Sequence, residues 1–506
     1  MSSEGGARIG RWAIGAATLV GATLLAGRVS GLFREIQLAT AFGVSVAADV
    51  AVLLLTLPDL LVNLVLSGGL SAALIPRLRA LPLQSAQALN RQTLLFVSIL
   101  FGLVALIFVF APGVWFSLLA PGLAVSAMPS TSAIMTTAIA IPLAAATGVT
   151  SASLNSQQKF LVAGCGTVIF NMVVVTALAF GQYVSHDPLF ILGGGIAIGA
   201  ALRLLSQLST LPRAWLWGPI APSAVDSIFI RGFLTAAATA SLMLLVPVVV
   251  RSFASTVSPG AIAALNYATK LVELPAGVLV TSLATVALVQ LSAHHASGDM
   301  QAAKQTFYNG LKRALTNAVG AGVLIAYFAG PLVELAIGRG AMDSAAINRV
   351  VSLTQLLMVG LPFLALSSMA MADLNAKEQP WVVFKVTLIC LFLLPVLALP
   401  GIWLQSEGLL VTSIVGFQVI HALWLTMKCG LFSKNLMSWL DKRLFFSMLV
   451  IACMAYAAIL IDRLLKPVFE SQILLHGLFA CCCVAAIIVM SQKVLIHKNQ
   501  SKVKID

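Results

Sequence analysis

The side chains able to do chemistry in this sequence stand out because little around them can. In NYATKLVELPAGVLVTSL (266–283), Lys270 and Glu273 interrupt an apolar run just ahead of Pro275. A second group, Arg28, Arg34, Glu35 and Asp49, falls in or soon after the first apolar run. An ionised residue at the centre of a bilayer costs at least about 2.5–3.5 kcal/mol on insertion scales, so such residues face a cavity or a partner. At helical spacing Glu273 is close enough to pair with Lys270, leaving two readings: helix glue, or a pair lining a cavity. Arg28 and Arg34 are separated by about 600° of helix rotation and point to different sides, unless the helix breaks at Gly27, Ser30 or Gly31. Arg28 is expected in a cavity; Arg34 lies there or snorkels to a headgroup. Asp49 lines the same cavity or anchors Arg28 or Lys270. Sheltered cations call for an anion, because two unit charges 4 Å apart attract by about 4 kcal/mol at an effective dielectric of 20, against about 1 in water. A diphosphate-bearing ligand would offset several at once.

The elements that must hold these residues follow from composition. Of 506 residues, 60% are hydrophobic and 9% charged, against roughly 25% charged in a soluble domain. Mean hydropathy is +1.01. Apolar runs long enough to cross a hydrocarbon core of about 30 Å recur along the chain. They lie near 12–33, 44–66, 92–116, 131–155, 160–184, 190–211, 228–253, 261–291, 311–337, 349–372, 381–403, 407–427, 444–462 and 473–492, which predicts about fourteen crossings. The first run starts at Arg8 and Arg11 like a signal peptide, but Arg28 closes it without a small-residue cleavage site, so it is expected to remain a helix. The gaps leave no room for a large extramembrane catalytic domain, and no nucleophile and base pair stands out. An enzyme is not expected.

The net charge of +13 is explained by location. With the amino terminus inside, the tail and inner loops collect most cations, among them Arg77, Arg79, Lys159, Arg203, Lys377 and Lys434, whereas the outer loops hold Arg251, Arg339, Arg349, Arg463 and Lys466. This is the positive-inside bias of a plasma-membrane protein with both termini cytoplasmic, and nucleic-acid binding becomes unnecessary. The seven cysteines form no C-x-x-C pair and read as helix filling. His294-His295 has no third ligand near it, so no metal and no cofactor are expected. GGGIAIG (193–199) lies within an apolar run and lacks a following G-K-[ST], which reads as close helix packing rather than a nucleotide loop.

An internal repeat organises the runs. LTLPDLLVNLVLSGGLS (55–71) lines up with VELPAGVLVTSLATVAL (272–288) through Leu57-Pro58 and Leu274-Pro275, and SASLNSQQK (151–159) lines up with MADLNAKEQ (371–379) through Leu154-Asn155 and Leu374-Asn375. Six crossings per unit is an even number, so both halves enter the membrane in the same direction, as in parallel-repeat transporters. The expectation is an all-α polytopic membrane protein with two six-helix lobes, 1–217 and 218–435, followed by two more helices and a basic tail, 436–506. The lobes would enclose a cavity that opens to one side at a time. Pro58 and Pro275 mark helix kinks suited to rocking lobes.

GRVSGLFREIQLATAFGVSVAADV (27–50), LPDLLVNLVLSGGLSAALIP (57–76), YATKLVELPAGVL (267–279), GRGAMDS (338–344) and ADLNAKEQP (372–380) resemble, in that order, the MurJ/MviN lipid II flippases of the MOP superfamily. The resemblance implies a MATE-like fold with two extra helices forming a lipid-tail groove. It also implies transfer of undecaprenyl-diphosphate-linked peptidoglycan precursor from the inner to the outer leaflet of the bacterial inner membrane, by alternating access coupled to the membrane potential or an ion gradient. The resemblance further implies contacts with cell-envelope synthesis proteins as partners. Family arginines that face the diphosphate fall on Arg28 and Arg34, and a further one on Lys270, which keeps the charge but loses the bidentate fork. Family acidic positions fall on Asp49, Glu273 and, in place of aspartate, Glu35. Where the family has adjacent arginines after L-P-N-L-L, this chain has Val62 and Asn63, and E-G-A-F-S becomes SGGLS (67–71). Asn63 thus takes a substrate-facing position in a less cationic cavity. A different polyprenyl-diphosphate-linked glycan, such as an exopolysaccharide or O-antigen unit, is the alternative cargo; a MATE-like cation-coupled exporter is a further alternative, opposed by the cations.

Overall fold

A computed structural model describes residues 23, 25–64, 70–184, 187–219, 242–430, 442–469 and 472–496. Among these residues the fold is entirely helical, as expected, and it divides into two compact units, Met1–Val248 and Val249–Asp506. Nine described helices are long and apolar enough to cross a membrane, or ten if one bent pair counts as a single crossing. The fourteen expected crossings are therefore not all confirmed, and the beginnings of the first and seventh runs lie outside the described residues.

The first unit contains α1 (25–42), α2 (Val46–Leu64), α3 (Leu70–Ala80), α4 (Leu83–Phe110), α5 (Pro112–Leu119), α6 (Thr131–Ser156), α7 (Phe160–Val184), α8 (Pro188–Leu208) and the short α9 (Arg213–Leu216). Helix α6 is its centre, packed against α2, α3, α4 and α8. That role follows from small side chains: Ala140, Ala144, Ala145, Gly148 and Ala152 are all buried on α6, and small residues let helix backbones approach where lipid offers no hydrophobic drive to associate. Helix α4 is built the opposite way. Leu95, Phe96, Ile99, Leu103, Leu106 and Phe110 are exposed along it, an apolar stripe suited to acyl chains rather than to water. A chain with several such helices is a multi-pass membrane protein.

The second unit follows the same order. The boundary falls within α10 (Leu242–Ala254), and after it come α11 (Ala261–Ala276), a π-helical turn (Gly277–Thr281), α12 (Ser282–Ala296), α13 (Met300–Tyr327), α14 (Ala329–Ile337), α15 (Ser344–Ala376), α16 (Pro380–Trp403) and α17 (Glu407–Lys428). Helix α15 packs against α11, α12, α13, α14 and α17, as α6 does in its own unit. The matched sequence signals fold alike: Pro142 lies inside α6 and Pro362 inside α15. Both helices end on a non-glycine residue in the left-handed region, Gln158 at φ 62° and Glu378 at φ 58°. In each, the next amide reaches back across the last turn, Lys159 to Leu154 and Gln379 to Leu374, both at 2.9 Å. This is the Schellman closure of a helix, here made without glycine. Finally α18 (Lys442–Phe469) and α19 (Ile473–Ile496) pack on α13 within the second unit. The Tyr327 hydroxyl donates to Asp462 at 2.9 Å, and His476 Nε2 lies 2.7 Å from the other oxygen of that carboxylate.

One expected crossing is bent and another ends earlier than its apolar run. The run 311–337 is not one helix: α13 and α14 meet at 74° around Phe328. Pro331 sits in the first turn of α14, where its missing N–H costs no hydrogen bond, whereas inside a continuous helix it would clash with the preceding turn. The run 92–116 breaks for the same reason, with α4 ending at Phe110 and Pro112 opening α5.

The glycine run on α8 serves close packing. A Cβ on Gly193 would stand 2.4 Å from Thr136 Oγ1 on α6, and one on Gly195 would stand 2.4 Å from Ala177 Cβ on α7, while Gly194 faces open space. Gly195→Leu should therefore force α7 and α8 apart and cost about 1–3 kcal/mol or more through overpacking. Gly194→Leu should leave the melting temperature of the detergent-purified protein near that of the wild type, and equal melting of the two variants would contradict the packing.

Candidate functional site

The charges of the first unit start from an unbroken helix. Helix α1 runs through Gly27, Ser30 and Gly31 without a break, so Arg28 and Arg34 lie on different faces. Arg28 is exposed and makes no hydrogen bond or ion pair with a described residue. Arg34 is buried at 5% exposure. Its Nη2 contacts Glu35 Oε1 and Asp59 Oδ2, each at 2.9 Å, and its Nη1 donates to Asn171 Oδ1 at 3.3 Å. Asn171 is fixed in turn by donating to Ser30 Oγ at 2.9 Å and to the Gly27 carbonyl at 3.3 Å. A headgroup contact for Arg34 is thereby corrected: the guanidinium points into its own bundle, where two carboxylates match it. Charge-assisted, multiply bonded pairs of this kind are the strong ones in a low dielectric.

Asp49 is buried in the first turn of α2. Ser45 Oγ caps that helix by accepting from the Ala48 amide at 3.1 Å, and the helix N-terminus favours the carboxylate. Asn63 falls on α2, but its side chain, like those of Val62 and of the SGGLS segment, lies outside the described residues.

Three residues of this cluster were not singled out by the sequence: Asp59, Asn171 and Arg203. Arg203, counted with the inner-loop cations, is instead buried within α8 at 5% exposure. It shares with Pro58, Asp59, Ala144, Phe170 and Ala200 the lining of a small cavity. A glycine opposite gives it room, since a Cβ on Gly166 would stand 2.9 Å from Arg203 Cγ. The available signal was its position inside the apolar run 190–211 rather than beyond it.

In the second unit Lys270 Nζ lies 2.8 Å from Glu273 Oε2, so the expected pair forms. It is accessible: the two side chains are 28% and 51% exposed. Pro275 follows inside α11, and instead of a simple kink the chain widens into the π-turn 277–281. That geometry is the usual way for a helix to absorb an irregular hydrogen-bond ladder. Arg349, placed among outer-loop cations, is a structural tie. Its guanidinium bonds Glu407, Ser258 Oγ at 2.8 Å and the Pro259 carbonyl at 3.0 Å, fastening the start of α17 to the turn before α11. Of the His294-His295 pair, His295 lies 3.9 Å from Asp373, whose other oxygen is taken by Lys377 at 2.5 Å.

These environments separate the cations by measurement. Arg34→Gln should leave two carboxylates without their cation and cost about 3–5 kcal/mol, the range for breaking a buried pair. Lys270→Gln removes an accessible pair that contributes about 1 kcal/mol or less. Thermal melts of the two purified variants should therefore differ clearly, with Arg34→Gln/Asp59→Asn recovering part of the loss; equal melts for the two single variants would contradict the assignment of Arg34 as a buried structural charge.

Comparison with known proteins agrees with this architecture. The chain is 25% identical over 376 residues to the lipid II flippase MurJ of Burkholderia cenocepacia, covering 72% of this chain and 73% of that one. It is likewise 25% identical over 428 residues to a probable lipid II flippase MurJ of Rhizobium tropici, covering 78% and 79%. Among solved structures, a lipid II flippase MurJ in an inward closed conformation superposes with a TM-score of 0.81 at 18% identity, covering 95% of this chain and 99% of that one. An inward-facing MATE multidrug transporter of the MOP superfamily gives 0.65 at 15% identity, covering 80% and 94%. Both share the fold. The family described as lipid II flippase MurJ matches residues 38–479, most of the sequence, and this chain belongs to that family.

Proposed function

We propose that this chain carries lipid II, the undecaprenyl-diphosphate-linked peptidoglycan precursor, from the inner to the outer leaflet of the bacterial inner membrane by alternating access. Family membership supports the cargo, and the distribution of cations supports a diphosphate as the recognised group. The observation that carries the reading is that two cations within apolar runs are accessible, Arg28, which is exposed, and Lys270, whose side chain is 28% exposed, whereas Arg34 is buried among carboxylates. Glu273 holds Lys270 through a partly solvated contact worth about 1 kcal/mol or less. A diphosphate therefore displaces it at small cost. Arg34, Asn63, Asp49 and Glu35 complete the proposed set: Asn63 toward the diphosphate, Arg34 available to it once the carboxylate of Asp59 is withdrawn, and the acids holding cations in place between transport events. Pro58 and Pro275 supply the flexible points of α2 and α11. The cation bias of the inner segments supports cytoplasmic termini, and coupling is to an ion gradient or the membrane potential. A second reading, transfer of another polyprenyl-diphosphate-linked glycan, draws on Val62 and Asn63 standing where arginines are usual.

Complementation decides between the two cargoes. Expressed in a bacterium depleted of its resident lipid II flippase, the wild-type chain should sustain growth, and failure of a well-expressed chain would remove lipid II as the cargo. Arg28→Ala and Lys270→Ala should each lower lipid II transport about tenfold or more, the loss of one charge-assisted contact to the diphosphate. Rescue by both variants at the wild-type level would remove these side chains from the binding site.

A further inference from the structure

Asp59 lies between two buried arginines whose situations are unequal. On one side Arg34 serves two carboxylates at once, Asp59 and Glu35. On the other, Arg203 makes no hydrogen bond or ion pair with a described residue through its guanidinium, and its Nε is enclosed without an acceptor. Asp59 and Arg203 line the same small cavity, whose other walls are Pro58, Ala144, Phe170 and Ala200. A buried guanidinium lacking a partner is costly. The groups that face Asp59 are thus Arg34 and Glu35 on α1 and Arg203 on α8; the cavity residues from α6 and α7 are Ala144 and Phe170, which carry no charge.

Asp59 is also the least enclosed member of the cluster. Its side chain is 35% exposed, against 7% for Arg34 and 4% for Glu35. It follows Pro58, which cannot donate to the α2 ladder and so loosens the helix at that point. Arg34 cannot hold two carboxylates and also bind a diphosphate with full strength.

We propose that Asp59 exchanges partners during transport: it pairs with Arg34 in the empty protein and passes to Arg203 when the diphosphate of the cargo takes Arg34. The proposal rests on the diphosphate reading given above. No charge is created in the exchange, and the lone buried cation acquires its carboxylate as the cargo arrives. On release, Asp59 returns to Arg34 and competes the diphosphate away. Asp59 and Arg203 are positioning residues in this scheme, because they act on the cargo through Arg34. Since Asp59 and the diphosphate compete for one guanidinium, each weakens the hold of the other by the same factor.

The test is binding of undecaprenyl diphosphate to the full-length chain in detergent micelles, for the wild type, Asp59→Asn, Arg203→Met and the double variant. Asp59→Asn should tighten binding by at least about fivefold, the lower end of typical coupling between linked sites. Arg203→Met should weaken binding by a similar factor, since it strands Asp59 on Arg34, and should change little in the Asp59→Asn background. Arg203→Lys keeps the charge and should bind like the wild type, which separates lost charge from lost folding. A structural role would weaken binding in both single variants, so a wild-type chain that binds while Asp59→Asn binds equally or more weakly overturns the exchange alone. A wild-type chain that does not bind undecaprenyl diphosphate overturns the diphosphate reading and the exchange with it.

Discussion

The pairing of Arg34 with Asp59 and Glu35 is the interaction on which the interior of the first unit depends. A guanidinium removed from water must recover its lost hydration from fixed partners, and the geometry needed is demanding enough to dictate neighbours. The carboxylates must come from α1 itself and from α2, which sets how closely those helices pass. Asn171 on α7 reaches across to fill one further donor at 3.3 Å, and it is held in place by its own bonds to Ser30 and to the Gly27 carbonyl.

Elsewhere the architecture is governed by what replaces water as solvent. Helix α4 carries its large apolar side chains on the exposed face and keeps the polar Asn90 and Thr93 buried, with Asn90 donating to the Trp215 carbonyl at 2.9 Å. Helix α6, at the centre, buries Thr147, Thr150, Ser151 and Ser153 among alanines, and Gln207 of α8 donates to Ser151 at 2.8 Å. Hydrogen bonds between side chains give these contacts direction, since packing against lipid alone supplies little specificity.

Local signals were legible in the sequence and non-local ones were not. Lys270 and Glu273 are three positions apart on one helix, so their contact follows from helical geometry alone. The repeat was readable through Leu154-Asn155 and Leu374-Asn375, and it reappears as two identically closed helix ends. By contrast Arg34 and Asp59 belong to different helices, and a single sequence carries no statement of which helix faces which. Arg203 reads as a loop cation because averaging over an apolar run hides one charge near its end. Length and hydropathy likewise do not register Pro112 and Pro331, whose backbone chemistry ends α4 at Phe110 and bends the chain between α13 and α14.

The two halves of the repeat diverge at the position after the shared proline. Pro58 is followed by Asp59, whereas Pro275 is followed by Ala276, which is buried and carries no charge. The second unit instead places its charges one turn earlier, at Lys270 and Glu273, on an accessible stretch. A proline inside a helix leaves a carbonyl without its usual donor and a backbone that can bend. In one unit that yielding point carries the carboxylate of a buried ion pair, so bending there shifts charge within the bundle. In the other it lies beside an accessible ion pair, so bending re-aims a cation without leaving a buried charge uncompensated. Each unit thus has a proline inside a helix, and the residues beside it give that point a different electrostatic load.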